Sequence, residues 1–220
     1  MSKKLVLILI LIVILSLLLF VSSGVCRAAD ESGSYSIYFM DEKVGYEEFV
    51  WRAVESGYEL VVTGGMTKPV SLQIERLVIQ LTEDFIPLHY EFKGTLSGSE
   101  QSISSIISDG SVKNRIRAAG QEQESFTEIK RDAFLLPNPV FSPYMAITKK
   151  YRCSLEEEKT GLSAYIIPQA ETTFTLLPGE EDDCLLLMEM GAAVVELGTD
   201  NQGTLRILHM TSQNIRVVLD

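Results

Sequence analysis

The chain has 220 residues, 46% of them hydrophobic, and a formal net charge of −11. Of its 19 Lys and Arg, three (Lys3, Lys4 and Arg27) precede Ala29, whereas all 30 Asp and Glu follow it, so 16 basic against 30 acidic side chains leave the remainder at −14. A surface of that sign repels phosphate backbones and anionic membranes and argues against a nucleic-acid partner; about 190 residues suit one domain with a substantial core.

Residues 1–28 have the layout of a bacterial-type secretory signal. Lys3 and Lys4 precede the uncharged run Leu5 to Val21, and a small, polar segment ends at Ala28 and Ala29. Signal peptidase cleavage is expected after Ala28 or after Gly24, each with a small residue three positions earlier. The alternative is an uncleaved anchor, because the run just reaches the length of a membrane-spanning helix with the lysines inside. Lipidation at Cys26 is a third route, against which stands Val25 where a lipobox has a smaller residue. Each route places the domain from residue 29 to 220 outside the cytoplasm, in the periplasm or at the cell surface.

From there the pattern is β, in short segments rich in Val, Ile, Tyr, Phe and Thr broken by Gly, Asp, Asn and Ser. Strands are expected at 35–40, 44–54, 58–63, 70–82, 87–96, 101–108, 112–118, 124–130, 162–167, 172–177, 184–190, 193–197, 204–210 and 214–219. About fourteen strands joined by tight turns predict an antiparallel meander. Leu77, Ile79 and Leu81 are assigned to one face and Arg76 and Gln80 to the other; Leu88, Tyr90 and Phe92 alternate with polar neighbours; Leu205 and Ile207 are assigned opposite Arg206 and Leu208. Apolar parity switches between Leu72-Ile74 and Leu77-Ile79, which predicts a bulge or bend near Glu75.

One segment interrupts the strands. Between Phe134 and Tyr151, Pro137, Pro139 and Pro143 forbid a continuous strand or helix, but Asn138 or Ser142 could cap a short helix with the following proline in its first turn. Tyr144, Ile147 and Tyr151 recur at helical spacing and Lys149 and Lys150 suit a helix C-terminus, so a helical insert is expected near 139–151. Such an insert would cover the concave face of the sheet.

Chemistry-bearing residues are sparse. His89 and His209 are the two imidazoles, each isolated on a strand, and no metalloprotease, nucleophile-elbow or phosphate-loop motif occurs. Glu156-Glu157-Glu158 and Glu180-Glu181-Asp182-Asp183 lack calcium-loop spacing and read as solvated turns. Glu47, Glu48, Glu122 and Glu124 read as wet strand faces. No enzyme activity, metal or cofactor is expected. Cys153 and Cys184, the pair left once the leader is removed, could close a disulfide in an oxidising compartment or stand as two buried thiols.

The segments Ile37-Tyr38-Phe39, Lys43-Val44-Gly45, Phe85 to Tyr90, Leu135 to Tyr144 and Ile167-Pro168-Gln169 resemble an uncharacterised family of exported bacterial envelope proteins, similar in layout to the lipoprotein-sorting carriers. The resemblance implies a strongly curved antiparallel sheet, or incomplete barrel, whose concave face holds acyl chains, and it implies no catalytic residues. The expected function is therefore a non-catalytic envelope protein binding a lipid or acyl chain in a groove. The aromatic-rich positions Phe134, Phe141, Tyr144, Ile147 and Tyr151, with Tyr90 and Phe92, are the candidate lining, although core packing is the simpler account of the aromatic residues. The alternative is an envelope assembly protein that binds protein partners through an exposed strand edge.

Overall fold

The computed structural model describes residues 30–179 and 184–220; the leader, with its processing sites, and the run Glu180 to Asp183 lie outside the described residues. The first eight strands are β1 (Glu31–Phe39), β2 (Glu42–Val54), β3 (Gly57–Met66), β4 (Leu72–Leu81), β5 (Pro87–Leu96), β6 (Ser99–Ser108), β7 (Ser111–Ala118) and β8 (Gln121–Glu128). A two-residue β9 (Phe134–Leu135) leads into a 3-10 turn (Ser142–Tyr144) and one helix, α1 (Met145–Tyr151). The chain returns through β10 (Lys159–Ile166), β11 (Ala170–Pro178), β12 (Leu185–Met190), β13 (Ala193–Thr199), β14 (Leu205–Met210) and β15 (Ile215–Leu219).

All fifteen strands belong to one sheet, in the order β8 back to β1 and then β15 back to β9. Apart from β8 and β9, strands adjacent in sequence pair with each other, and the first and last strands meet at the centre through Tyr35 to Phe39 against Ile215 to Leu219. The sheet would close into a barrel if β8 paired with β9, and it does not: the seam of this incomplete barrel lies between them. The chain crosses that seam at residues 129–133, and this explains a departure from the expected all-antiparallel meander. The strand β9 enters from across the seam rather than from a hairpin, and pairs in parallel with β10 at Ala164 and Tyr165.

Side chains hold the seam where the ladder does not. Inside, the Asn114 Nδ2 of β7 donates to the Tyr165 hydroxyl of β10 at 2.8 Å, while Ser105 donates to Asn114 Oδ1 at 2.7 Å. Outside, the Lys130 backbone N–H donates to the Glu171 carboxylate at 2.9 Å and its Nζ to the Gly161 carbonyl at 3.2 Å. Asn114 and Tyr165 are both fully buried, so these bonds replace water that neither group can reach.

Hairpin register follows from turn chemistry. Asp109-Gly110 and Ala119-Gly120 both carry positive φ at both central positions, the geometry of a two-residue type I′ turn that matches strand twist. The predicted bend near Glu75 is present, as a register shift between Ile74 and Arg76 against β5. Gly94 faces this bend, where a Cβ would stand 2.1 Å from the Gln73 carbonyl; the sheet curls here because no side chain intervenes.

Two further shifts overturn the alternation expected on β5 and β14. The shift between Gln80 and Leu81 pairs Pro87 and His89 with neighbouring residues of β4 and leaves Leu88 unmatched, so Leu88 is exposed while Tyr90 and Phe92 stay inside. Between Gly198 and Thr199 the same device leaves Arg206 unmatched, and the result is a buried Leu208 and an exposed Ile207, the reverse of the expected pair. One extra residue flips every later side chain to the other face.

The concave face is filled by the segment that interrupts the strands. Met145 and Ile147 are completely buried, packed in one core cluster with residues such as Phe49, Leu77, Tyr165 and Leu197.

Candidate functional site

The seven positions expected to line a ligand groove separate into two groups. Tyr90 and Phe92 on β5, Phe134 on β9 and Ile147 on α1 are core residues, and the Phe134 ring packs against Phe174 and the half-buried Tyr151 at centroid distances of 6.0 and 6.2 Å. Phe141 and Tyr144 are also buried, but they form one wall of a small groove of about 230 Å³ beneath the proline loop, opposite Met190, Val195 and Met210. Burial raises the pKa of the Tyr90 and Tyr144 hydroxyls far above the usual phenol range, so neither supplies an ionised group.

What holds the helical segment in place is a residue assigned from the sequence to a wet face. Glu47 is completely buried. Its carboxylate accepts the backbone N–H of Phe141 at 2.9 Å, the backbone N–H of Ser142 at 2.8 Å and the Ser142 hydroxyl. The correction has a local reason: Glu47 shares strand parity with Phe49 and Trp51, both of which face inward. The first helical turn has no side-chain cap of its own, from either Asn138 or Ser142, and begins at Ser142 rather than near 139. A carboxylate from the sheet satisfies its orphan donors instead. Burial pushes the Glu47 carboxyl pKa upward, against the Ser142 and Phe141 hydrogen bonds that pull it down.

At the other end of the helix lies a cleft of about 600 Å³, within the range of small-molecule sites. One wall is aromatic, with Trp51 on β2, Tyr58 on β3 and Phe85 in the turn after β4. The Tyr58 and Phe85 rings stack 4° from parallel with centroids 5.0 Å apart, and Trp51 lies 5.6 Å from Tyr58. The opposite rim carries Glu31, Lys149, Arg152, Asn201 and Gln202. Lys149 Nζ pairs with Glu31 at 2.6 Å and sits 5.5 Å from the Trp51 ring centroid, while Thr204 donates to the other Glu31 oxygen at 2.7 Å. Both charges are thus paired and hydrogen-bonded, the condition under which a mostly desolvated ion pair is tolerated.

Two strained backbone positions lie at this cleft. Of the eight non-glycine residues with positive φ, seven sit in turns between paired strands, Phe85 among them. Phe85, at φ 64, and Arg152, at φ 48, line the cleft. Holding an aromatic side chain in the left-handed region costs about 1 kcal/mol, and the turn that does so is closed by the Phe85 N–H on the Thr82 carbonyl at 3.0 Å and the Ile86 N–H on the Thr82 hydroxyl at 3.1 Å. Strain retained against that cost concentrates at sites of function.

No protein-family model matches the chain, and no curated protein does. A crystal structure of a DUF1089 family protein from Pseudomonas aeruginosa is similar over 83% of this chain and 91% of its own, with a TM-score of 0.40 and 11% identity. The chemistry of the cleft rests on its own side chains.

The chemistry-bearing side chains named from the sequence lie apart from one another. His89 lies 3.7 Å from Glu91 and His209 lies 3.2 Å from Glu196, two separate surface pairs. Among the described residues no group of three or more His, Cys, Asp and Glu is placed to hold a metal ion. Among the same residues no helix is long and apolar enough to cross a membrane. Glu156, Glu157 and Glu158 are exposed after α1, as are Glu48, Glu122 and Glu124 on their strands. Cys153 and Cys184 are joined in a disulfide that ties the end of the helical segment to the start of β12.

The loop after β13 sets the polar rim. Asp200 Oδ1 accepts the N–H groups of Gln202 and Thr204, both at 2.9 Å, and Oδ2 receives Arg206 at 2.8 Å. Burial alone would raise the Asp200 pKa, and those donors outweigh it and lower the pKa. Gly203 brings this loop onto the helix: φ is 78, and a Cβ would stand 2.7 Å from the Lys149 Cα and the Thr148 carbonyl. Gly203→Ala is therefore expected to cost about 2 kcal/mol from positive φ and backbone displacement together, and to break the Thr148 hydroxyl bond to the Gly203 carbonyl. Urea unfolding measures it; an unchanged midpoint would mean that the loop moves away freely.

Proposed function

We propose that this chain is a non-catalytic binding protein for an amphiphile, a lipid or other molecule with an acyl chain, and that the cleft lined by Trp51, Tyr58 and Phe85 is its site. The observation that carries this reading is the strained placement of Phe85, which stacks a half-buried aromatic pair at the edge of the core, where it walls an open cleft. The apolar part of the ligand lies along these rings, and a polar head meets Arg152, Asn201 and Gln202 on the rim. An acyl-chain ligand is also the class that the resemblance of the sequence segments implies, with the site moved from the filled concave face to the end of the helical segment. Export through residues 1–28 belongs to this reading, since it brings the cleft to the compartment where envelope lipids travel.

Trp51 is the single tryptophan of the chain and lies in the cleft, so its fluorescence reports occupancy directly. Titration with a long-chain fatty acid is expected to shift Trp51 emission. Phe85→Ala and Tyr58→Ala are each expected to weaken binding roughly tenfold, the worth of one aromatic contact, with little change in melting temperature. Emission that stays constant to the solubility limit of the fatty acid would refute the site.

A further inference from the structure

A separate surface, independent of the cleft, is the outer edge of β8. The strand β8 ends the sheet, and among the described residues no strand pairs with its outer side. It stands clear of the body: Gln121, Glu122, Gln123 and Glu124 are exposed in succession on both faces, and Phe126 is 67% exposed. The Ala119-Gly120 turn makes Ala118 and Gln121 a hydrogen-bonded pair, so alternation directs the N–H and C=O groups of Glu122, Glu124, Phe126 and Glu128 away from β7. Edge strands of this length are ordinarily blunted by charged side chains, Pro or a bulge; β8 has neither Pro nor bulge, and its charges are all carboxylates.

Charge states what fits. On the outer face β7 presents Lys113, Arg115 and Arg117 at every second position, directly opposite Phe126, Glu124 and Glu122. Glu124 receives Lys113 at 3.1 Å and Arg115 at 3.0 Å, and Arg117 reaches Glu122 at 2.5 Å. A strand on the open side of β8 meets the same row of carboxylates, extended by Glu128. A second copy of β8 fits poorly: antiparallel pairing centred on Ser125 sets Glu122 against Glu128, and pairing centred on Glu124 sets that residue against itself, and like charges directly opposite are destabilising.

We propose that β8 is a docking edge for an extended segment of another protein carrying Lys or Arg at alternate positions, added as a further strand of the sheet. Main-chain bonds to Glu122, Glu124, Phe126 and Glu128 hold the segment, and its basic side chains select it. The net acidity of the chain steers such a partner toward it.

The strand β7 supplies a probe, because its own sequence already solves this pairing. A synthetic peptide of residues 111–118, Ser-Val-Lys-Asn-Arg-Ile-Arg-Ala, is titrated against the whole protein at low and moderate salt while amide hydrogen exchange is followed. Slowed exchange is expected at the four outward amides of β8, together with at least tenfold weaker binding for the same peptide with Thr in place of its Lys and both Arg. Phe126→Pro removes an outward donor without removing a β7 bond and is expected to abolish binding. Should that variant fold poorly, the double variant Glu122→Gln, Glu124→Gln is expected to weaken binding at least fivefold. Absence of binding, equal binding of the Thr peptide, or binding without protection of those amides overturns the proposal. Protection of the same amides in the protein alone, rising with its own concentration, overturns it in favour of self-association.

Discussion

Glu47→Ala is expected to destabilise the protein by about 4 kcal/mol, since it strands the backbone donors of Phe141 and Ser142 in a site closed to water. Equilibrium unfolding in urea reads this as a lower midpoint. Glu47→Gln retains one acceptor oxygen but turns an amide N–H toward a backbone N–H, so a loss of about 2 kcal/mol is expected. A signature in pH accompanies the first result. The Glu47 carboxyl has its pKa raised on folding above the ordinary 4.5, so the folded state holds its proton more tightly than the unfolded chain. Its contribution to stability is then fully present below pH 4.5 and declines as pH rises through the folded value. Between those limits the unmodified protein should lose stability relative to Glu47→Gln as pH increases. A gap between the two that is flat across this window would show that the carboxylate is not strained by burial.

Phe141→Ala is the second large effect, an expected loss of about 3 kcal/mol from removing a buried aromatic ring. The backbone of the same residue is held by Glu47, so both substitutions release one segment. The double variant is expected to lose clearly less than the two losses added together. Full additivity would mean that the proline loop and the helix are held separately. Binding of the fatty acid at Trp51 should survive Phe141→Ala wherever the protein remains folded, because the ~230 Å³ groove lined by Phe141 and the ~600 Å³ cleft lined by Trp51 have no lining residue in common. Loss of binding in the folded variant would move the site back to the proline loop.

Much of the architecture could be read from the chain, and the reason is local. Two-residue periodicity, turn dipeptides such as Asp109-Gly110 and the parity switch at Glu75 depend on a few neighbouring residues, and they identify the strands, the hairpins and the bend near Glu75. The prolines at 137, 139 and 143 likewise announce the single interruption and the short helix after it. The bulges at Leu88 and Arg206 could not be read, because Leu88 keeps the apolar parity of Tyr90 and Phe92 and Ile207 that of Leu205, so neither strand shows the parity switch that marks the bend at Glu75.

The candidate site was less legible. Glu47 carries a usable signal, parity with Phe49 and Trp51, but charge outweighs parity until the donors of Phe141 and Ser142 are seen 94 and 95 positions away. Lys149 falls four residues after Met145, on the same helical face, and its partner Glu31 is 118 positions earlier. The aromatic wall gathers one residue from each of two strands and a turn, which no spacing links. By itself the sequence determined an acidic, mainly β chain with one proline-marked helical segment, since these depend on composition and short-range pattern. Only the tertiary structure decided that this segment fills the concave face, that a buried carboxylate holds it, and that the Trp51 cleft and the β8 edge stand open. Burial and pairing are relations between distant residues, and closure of the sheet between β1 and β15, with the seam left at β8 and β9, is what sets them.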